Sequence, residues 1–414
     1  MTAPTLTAAD RRSRRDAALE AAPAPSRRRV VLVLGALIAL GPATIDMYLP
    51  ALPTLGDELS ASPAAVQLTL TGTLIGLGLG QLVLGPVSDA VGRRLPVLIG
   101  TAVHVLASLL CIVAPSIEVL GGLRLVQGLS AAAASVVATA VVRDLYSGTA
   151  AAVVLSRLML VLGTAPVLAP TVGGELLRLT SWRGVFGALA ALGALLLLLA
   201  ARALPETLPP SRRRPATVAG TLRAYRGLLR DRTYVGLVLV TGSAMGALFA
   251  YVSGSSFVLQ EQYGLDEQQF GLAFGAGAAF LIGSTQLNVR LLQSFSPQQV
   301  LAAGLVAGTL AAGALLAATV AGAGLVVLLA GLWAVLAAVG LVMPNAPALA
   351  LSRHGEAAGT AAALLGAAQF AVGALAAPLV GLLGTDATAM ALVILGATGS
   401  ALGVHLAVVR PRLG

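Results

Sequence analysis

Residues 30–50 read VVLVLGALIALGPATIDMYLP, an apolar run of membrane-spanning length with an aspartate, Asp46, close to its end. A helix needs roughly 20 predominantly apolar residues to cross the hydrocarbon core of a bilayer. An ionised carboxylate at the bilayer centre costs about 2.5–3.5 kcal/mol on insertion scales, and an acid in such a segment is functional by default. The run therefore predicts a membrane helix that carries a functional acid.

The composition of the whole chain extends this prediction. Of 414 residues, 57% are hydrophobic and 10% are charged, whereas about 25% of the residues of a soluble domain are charged. The formal net charge of +9 comes from arginine alone, because the sequence contains no lysine. These arginines stand between hydrophobic segments, which is typical of the cytoplasmic flanks of membrane helices and not of a nucleic-acid-binding surface. The composition predicts a polytopic membrane protein.

The hydrophobic pattern divides the chain into segments of spanning length. We predict twelve such segments, at residues 30–49, 64–86, 95–114, 117–141, 153–177, 184–203, 233–258, 268–289, 298–320, 322–349, 357–382 and 387–409. A polar, arginine-rich stretch after the sixth segment separates two sets of six. The predicted parts are a disordered basic cytoplasmic arm at 1–29, a first six-helix half at 30–203, a cytoplasmic linker at 204–232, a second six-helix half at 233–409 and a cytoplasmic tail at 410–414.

Several classes of protein are disfavoured by what the sequence lacks. Cys111 is the single cysteine, so no internal disulfide can form. The sequence contains no GxxxxGK[ST] motif, which argues against an ATP-driven pump, and no nucleophile elbow, which argues against a membrane enzyme. His104, His354 and His405 have no clustered partners in the sequence, so we predict no metal site.

A compact motif follows the second segment. Residues 85–94 read GPVSDAVGRR, in which Gly85, Asp89, Gly92, Arg93 and Arg94 form the pattern GxxxDxxGRR. The glycines allow a tight turn, and Asp89 can cap the start of the third helix and pair with an arginine. We expect Arg93 and Arg94 to anchor at the lipid headgroups.

This motif resembles the cytoplasmic loop motif of the major facilitator superfamily. RLVQGLSAAAASVVATAVVRDLY, which carries Arg124, is similar to the second motif of that family, and GTAPVLAPTVGG resembles the fifth-helix pattern of its antiporters. TIDMYLPALP, SWRGVF, LPETLPP and PNAPALAL resemble the bicyclomycin-resistance (Bcr/CflA) drug:proton antiporters. The resemblance implies the major facilitator fold, although the second half lacks the aspartate and glycines of a repeated loop motif. The antiporter-motif residues, which we expect to shape the contact with the opposite half, are Gly163, Pro166, Pro170, Gly173 and Gly174.

Asp46 and Arg124 are the predicted proton-coupling residues. Asp46 stands near the outer end of the first segment, and Arg124 about seven residues into the fourth, which runs the other way, so their depths match within about two turns. Movement of Arg124 toward Asp46, or wetting of the site, would switch Asp46 between proton uptake and release. A static polar lock is the alternative for each residue.

The remaining candidate residues are assigned by type. Aromatic, methionine and amide side chains suit a cavity for ligands of mixed polarity, with packing or lipid contact as the alternative for each. The predicted substrate-cavity residues are Tyr48, Met245, Phe249, Tyr251, Asn345, Gln369 and Phe370. We expect Glu118 and Glu175 to be hydrated at helix ends, and Asp144 to pair with Arg143.

The resemblance implies proton-coupled efflux of small drugs across the cytoplasmic membrane by alternating access, with bicyclomycin- or chloramphenicol-like substrates. Two transport alternatives stay open: a proton-coupled exporter of an endogenous metabolite, and a nutrient uptake symporter, which the fifth-helix motif disfavours. A receptor or scaffold would need a large extramembrane domain, and none is predicted. The expected partners are a small-molecule substrate, protons and the lipid bilayer, with no nucleic acid and no cofactor, and we expect a monomer.

We predict that both termini are cytoplasmic, because arginines concentrate at the ends of the segments that this orientation places inside. Only Arg178 and Arg183 would then face outward. Reporter fusions after Arg214 and after Gly414 should both report the cytoplasm. A periplasmic signal from either fusion would contradict the predicted topology.

Overall fold

The computed structural model describes residues 27–146, 148–213, 218–352, 354 and 358–410. Across this part of the chain the secondary structure is helical, with no strand, and twelve helices are long and apolar enough to cross a membrane. Their bounds are α1 Arg27–Asp46, α2 Pro63–Val91, α3 Arg94–Ile112, α4 Ile117–Leu145, α5 Gly148–Leu179, α6 Trp182–Ala203, α7 Arg232–Phe257, α8 Glu267–Leu291, α9 Pro297–Val320, α10 Leu325–Ser352, α11 Ala358–Leu383 and α12 Ala387–Val404. The predicted all-α fold with twelve membrane helices is confirmed.

The ends of the two halves differ from the predicted boundaries by a few residues. Because α1 begins at Arg27, residues 27–29 are helical and do not belong to a disordered arm. The linker contains a helix of its own, Val218–Leu228, and Asp231 caps α7 by accepting a hydrogen bond from the Thr233 amide at 2.8 Å. Residues 1–26 of the predicted arm and residues 411–414 of the predicted tail lie outside the described residues, as do Arg214 and Arg353.

The six helices before the linker and the six after it pack in the same pattern. In the first half, α4 contacts α2 and α3, α6 contacts α3, and α1 contacts α4, α5 and α6. Each pair recurs six helices later: α10 contacts α8 and α9, α12 contacts α9, and α7 contacts α10, α11 and α12. Between the halves, α2 packs on α11 and α5 on α8, which are equivalent pairs under the same relation. The chain therefore forms two related six-helix bundles, as in transporters built from internal repeats.

The crossing of α2 and α4 depends on glycine. A Cβ added to Gly76 of α2 would overlap the carbonyl oxygen of Leu125, and one added to Gly128 of α4 would overlap that of Thr73. Helices that associate within a bilayer approach closely where both present small residues. The backbones of α2 and α4 are therefore in direct contact, which fixes the position of Arg124 along α4.

The first helix is interrupted just beyond its aspartate. After Asp46 the chain turns at Met47 and Tyr48, continues as the short 3-10 helix Leu49–Ala51 and then as the helix Leu52–Glu58. A proline stands near the start of each short helix, where its missing N–H removes no intrahelical hydrogen bond. Asp46 is therefore the last residue of α1 and lies at a break in the path of the chain.

Gly128→Ala should lower the melting temperature of the purified protein or prevent its folding. The new methyl group overlaps a backbone carbonyl, which cannot move without shifting α2, and such overpacking costs about 1–3 kcal/mol or more. Gly122→Ala is the matched control on the same helix, because nothing lies within 4 Å of its Cβ position. Equal melting temperatures for the two variants in detergent would contradict the close crossing.

Candidate functional site

Two faces of the molecule are distinguished by the connections that they carry. The linker face carries the turn between α2 and α3 and the linker at residues 204–231. The far face carries the connections that follow α1 and α7. Asp46 lies toward the far face, where α1 ends.

Asp46 is buried without a charged partner. It is 5% exposed, and among the described residues no ion pair or hydrogen bond reaches its carboxylate. An ionised carboxylate there lacks the interactions that normally offset burial of a charge. Asp46 is the last residue of α1, and a helix carries a partial negative charge at its C-terminus. The helix therefore does not stabilise an ionised carboxylate there.

The surroundings of Asp46 come from both halves of the molecule. A Cβ added to Gly173 of α5 would overlap the carbonyl of Met47, so α5 touches the chain immediately after Asp46. On the other side, the Ser256 hydroxyl of α7 donates to the Leu49 carbonyl at 2.6 Å. Asp46 therefore lies where the two halves meet.

Arg124 is a fully buried cation held by neutral groups. One terminal nitrogen donates to the Thr44 carbonyl at 2.9 Å and the other to the Gln127 side-chain oxygen at 2.5 Å. The guanidinium carbon lies 4.0 Å from the ring centre of Tyr48 and 5.6 Å from that of Phe186. Carbonyl oxygens and aromatic faces both stabilise a cation. The Nε of Arg124 has no hydrogen-bond partner among the described residues.

The structure brings Arg124 close to Asp46 but does not pair them. Arg124 binds the carbonyl of Thr44, which precedes Asp46 by two residues. No ion pair joins the two side chains in the part of the chain that the structure describes. The role of Asp46 and Arg124 in proton coupling stays a prediction.

Four further polar side chains form a network around Arg124 and were not identified from the sequence as its partners. Gln127 donates to the Ser108 hydroxyl at 2.7 Å, and Ser108 donates to the His104 carbonyl at 2.7 Å. The Nε2 of His104 lies 2.8 Å from the Thr44 hydroxyl, which donates to the Leu40 carbonyl. The hydrogen-bond partners of His104 are therefore hydroxyl groups, which are not the metal ligands that the sequence interpretation considered. Their one-turn spacing within apolar segments is the signal that could have identified them.

The loop motif forms a charged cluster around Arg93. Arg93 donates to Asp89 at 2.5 Å, to Ser88 at 2.8 Å and to Asp144 at 2.9 Å. Burial by itself would lower the pKa of the Arg93 guanidinium, but the hydrogen bonds and negative charges of Asp144 and Asp89 outweigh it and raise that pKa. The sequence interpretation was therefore wrong on two points: Arg93 is buried and not a headgroup anchor, and Asp144 pairs with Arg93 and not with Arg143.

The cap of α3 comes from the linker and not from Asp89. Glu206 accepts hydrogen bonds from the backbone amides of Arg93 at 2.8 Å and of Arg94 at 3.3 Å, at the start of α3. Gly92 has a φ of +103°, and a Cβ there would overlap the Glu206 carboxylate. Glycine is therefore required at this turn, and Glu206 is a residue of the motif cluster that the sequence interpretation missed. Gly85, by contrast, has nothing within 4 Å of its Cβ position.

The antiporter-motif residues lie along the contact between α5 and α8. A Cβ on Gly174 would lie 2.7 Å from the Glu267 carbonyl, and one on Gly271 of α8 would lie 3.2 Å from the Pro170 carbonyl. Farther along α5, Gly163 faces Ile282 of α8. Gly173, as described above, contacts the chain after Asp46, whereas Pro166 lies inside α5 without a described polar contact.

The predicted cavity residues make several separate local contacts. Tyr48 lies beneath Arg124, and Tyr251 stacks on Phe274 with ring centres 5.0 Å apart. Phe249 of α7 and Phe370 of α11 approach to 6.4 Å. Met245 is buried and Gln369 is half-buried.

Asn345 departs from the cavity prediction. Its side chain donates to the Asn288 side chain at 2.7 Å, inside the second half, and it is 2% exposed. The amide is therefore used in joining α8 to α10.

Hydrogen bonds join the two halves at the far face. The Gln67 side chain of α2 accepts from the Gly381 amide at 2.8 Å and donates to the Ser253 carbonyl at 3.4 Å. Thr71 donates to the Ala374 carbonyl at 3.1 Å. Among the described residues, the hydrogen bonds between α1–α6 and α7–α12 all lie toward this face, including that of Gln268 to Glu175. The structure is therefore closed at the far face.

Comparison with known proteins gives consistent matches over most of the chain. A family model described as Major Facilitator Superfamily matches residues 32–378. An uncharacterized MFS-type transporter, YdgK of Bacillus subtilis, is 37% identical over 88% of this chain and 91% of its own length. A bicyclomycin resistance protein homolog of Haemophilus influenzae is 32% identical over 89% and 92%. A multidrug resistance protein, MdtL of Klebsiella pneumoniae, is 31% identical over 67% and 70%.

Solved structures share the fold. The crystal structure of a D-xylose-proton symporter superposes with a TM-score of 0.71, at 16% identity, and covers 90% of this chain and 95% of its own. A human organic anion transporter, MFSD10, superposes with a TM-score of 0.69 at 21% identity and covers 92% and 99%. At these identities the likeness concerns the fold alone.

Asp144→Asn should lower the melting temperature more than Asp89→Asn. Both variants remove a carboxylate from Arg93, but the Asp144 side chain is 15% exposed and the Asp89 side chain 51% exposed. A hydrogen bond to a buried charged group contributes about 1.5–3 kcal/mol, and an exposed ion pair up to about 1 kcal/mol. Thermal unfolding of the two purified variants measures the difference, and the reverse order would show that Arg93 is anchored mainly by Asp89.

Proposed function

This chain belongs to the major facilitator superfamily, and we propose that it exports small-molecule drugs from the cell in exchange for protons. It is a multi-pass transporter of the inner membrane, and its resemblance to the bicyclomycin-resistance antiporters is confirmed by its relatives. The names of those relatives, a bicyclomycin resistance protein homolog and a multidrug resistance protein, support drug efflux. Bicyclomycin- and chloramphenicol-like compounds are the first substrates to test.

One observation carries the proposal of proton exchange. Among the described residues, Asp46 is a buried carboxylate without a partner and Arg124 is a buried guanidinium without a counter-ion, and Arg124 donates to the carbonyl of Thr44, two residues before Asp46. Either charge alone is costly in a low-dielectric site, and each is the natural partner of the other. A proton on Asp46 removes one of the two charges and with it the attraction between them.

Protonation of Asp46 can therefore change the contacts between the halves. When the carboxylate is ionised, its attraction for Arg124 draws α1 and α4 together at the level of Asp46. When a proton occupies a carboxylate oxygen, Arg124 keeps its bonds to the Thr44 carbonyl and Gln127. Since α5 and α7 both contact the chain around Asp46, the two states differ where the halves must separate.

The available energy is sufficient for efflux. One proton that moves down a membrane potential of ~100 mV releases roughly 2.3 kcal/mol, before any pH gradient is added. This energy can hold a neutral drug at a severalfold concentration difference. Coupling also requires that the site change sides only when it holds a proton or a drug, because free exchange of an empty site would leak.

The proposed orientation places the linker face in the cytoplasm. The hydrogen bonds at the far face then close the periplasmic side, and the cytoplasmic side is the one free to open. In this state Asp89 is half exposed at the linker face. We infer that the loop motif acts as a latch, in which Asp89 gains a partner from the opposite half when the linker face closes. Arg93→Ala and Asp89→Asn should then reduce transport and spare equilibrium drug binding.

Asp46→Asn should bind drug and fail to transport it against a gradient. The amide is nearly isosteric with the protonated acid, so the variant should fold, but it cannot release a proton. Susceptibility of an efflux-deficient host to a drug panel identifies a substrate that the wild type exports. In proteoliposomes, wild type should then release protons when that drug is added, and Asp46→Asn should not.

Glu118→Gln is the matched control for this test, because Glu118 is exposed in the first turn of α4. It should retain proton release and energised transport. Full proton-driven transport by Asp46→Asn would move the proton carrier to another acid, with Glu118 and Glu175 next in line. Absence of any protected drug in the panel would favour export of an endogenous metabolite.

A further inference from the structure

We propose that His104 is a positioning residue that holds Arg124 at its place beside Thr44 and thereby sets how readily Asp46 exchanges a proton. The proposal rests on the proposed proton exchange at Asp46. His104 itself does not carry the transported proton. It acts through Thr44, which connects it to Arg124 by two hydrogen bonds.

The hydrogen atoms around Thr44 can be assigned from its partners. The Thr44 hydroxyl has one proton, and its contact with the Leu40 carbonyl at 2.6 Å uses it. A hydroxyl oxygen whose proton is already donated can only accept, so the Nε2 of His104, 2.8 Å away, must be the donor. His104 therefore fixes the Thr44 side chain by a donated hydrogen bond, and a neutral imidazole is sufficient for it.

The contacts close into a ring that spans three helices. Arg124 and Gln127 lie on α4, Ser108 and His104 on α3, and Thr44 on α1. The bonds run from Arg124 to Gln127, to Ser108 and to the His104 backbone, while the His104 side chain returns to Thr44, whose carbonyl accepts from Arg124. All five residues are fully buried. Buried hydrogen-bond networks rigidify their members, so the two terminal nitrogens of the guanidinium are held by the ring and not by Asp46.

Packing leaves His104 little freedom. A Cβ added to Gly193 of α6 would lie 3.3 Å from the Nδ1 of His104, so the imidazole fills the space between α1 and α6. The absence of a side chain at Gly193 is what admits the ring in this orientation.

The charged and titratable groups around His104 come from a few helices. Arg124 faces it from α4, and Cys111 shares α3. Asp46, two residues after Thr44, is the candidate from α1, and Tyr48 is the candidate from the turn that follows α1. The α6 residues at this site, Phe186 and Gly193, carry no charge. The acid of α2, Asp89, lies at the linker face and not beside His104.

Loss of the His104 donor should free the guanidinium to approach Asp46. An opposite charge within about 4–6 Å favours the ionised form of an acid. The protonation of Asp46 should then require a lower pH. A change confined to stability would alter the melting temperature but not the pH at which this single carboxyl titrates.

The test compares purified full-length variants in lipid nanodiscs by infrared difference spectroscopy of the protonated carboxyl band as a function of pH. The band that is present in wild type and missing in Asp46→Asn reports Asp46 and requires no drug. His104→Leu removes the donor and should shift the midpoint of this band down by about 1 pH unit or more. His104→Gln restores a donor at the position of Nε2 and should retain the wild-type midpoint.

His405→Leu is the matched control, because His405 is also a buried membrane histidine, at the end of α12. It should leave the midpoint unchanged. An unshifted midpoint in His104→Leu, or an equal shift in His104→Gln, would overturn the role of His104. Should His104→Leu fail to fold, Thr44→Val decides, because it removes the hydroxyl that accepts from His104 and retains the Thr44 carbonyl: a downward shift supports the proposal and an unchanged midpoint rejects it.

The two proposals fail separately in this experiment. If wild type and Asp46→Asn have identical carboxyl bands, Asp46 does not exchange a proton and the proposed proton exchange at Asp46 fails. If the band belongs to Asp46 but the wild-type and His104→Leu midpoints coincide, only the inference about His104 fails.

Discussion

A buried cation without a counter-ion is the constraint on which the rest of the site depends. Lipid and protein interior offer no water, so every polar group must be satisfied by the chain itself. The neighbours of Arg124 are one carbonyl, one amide and two aromatic rings. They belong to α1, to the turn after α1, to α4 and to α6, so these elements must lie close to one another. The positions of α1, α4 and α6 follow from it. Because these partners are neutral, the positive charge remains uncompensated and available to an acid that changes its ionisation.

The close contacts between the helices depend on glycine residues. Gly76 and Gly128 bring α2 and α4 into backbone contact, and Gly173 brings α5 to the chain after Asp46. Without water there is no hydrophobic drive between helices, so close contact and internal hydrogen bonds must hold the bundle together. The same pairs recur in the second half, with Gly242 and Gly246 of α7 facing Val372 of α11. Helix contacts of this kind can be broken and replaced by others when the helices move.

Features that depend on local composition could be predicted from the sequence, and features that depend on distant pairing could not. The twelve spans follow from runs of apolar residues. Asp46 and Arg124 were identified because charge within such runs is costly. Glu206 was missed because its partner Arg93 lies 113 residues away in the chain. Asp144 was misassigned because Arg93 lies 51 residues away, whereas Arg143 is its neighbour in the sequence. His104 shows the same limit, since its partner Thr44 lies on another helix, 60 residues away in the chain.

The cap that Glu206 provides for α3 also limits how far the two halves can separate at the linker face. Glu206 and Thr207 fasten the start of the linker to the first half, and Arg213 lies 3.9 Å from the Glu206 carboxylate. The linker helix Val218–Leu228 packs on α11 of the second half. Between Arg213 and Val218 there are five peptide steps, which extend to roughly 18 Å at most. The length of this connection therefore limits how wide the protein can open at the linker face, in addition to the limits that helix packing sets.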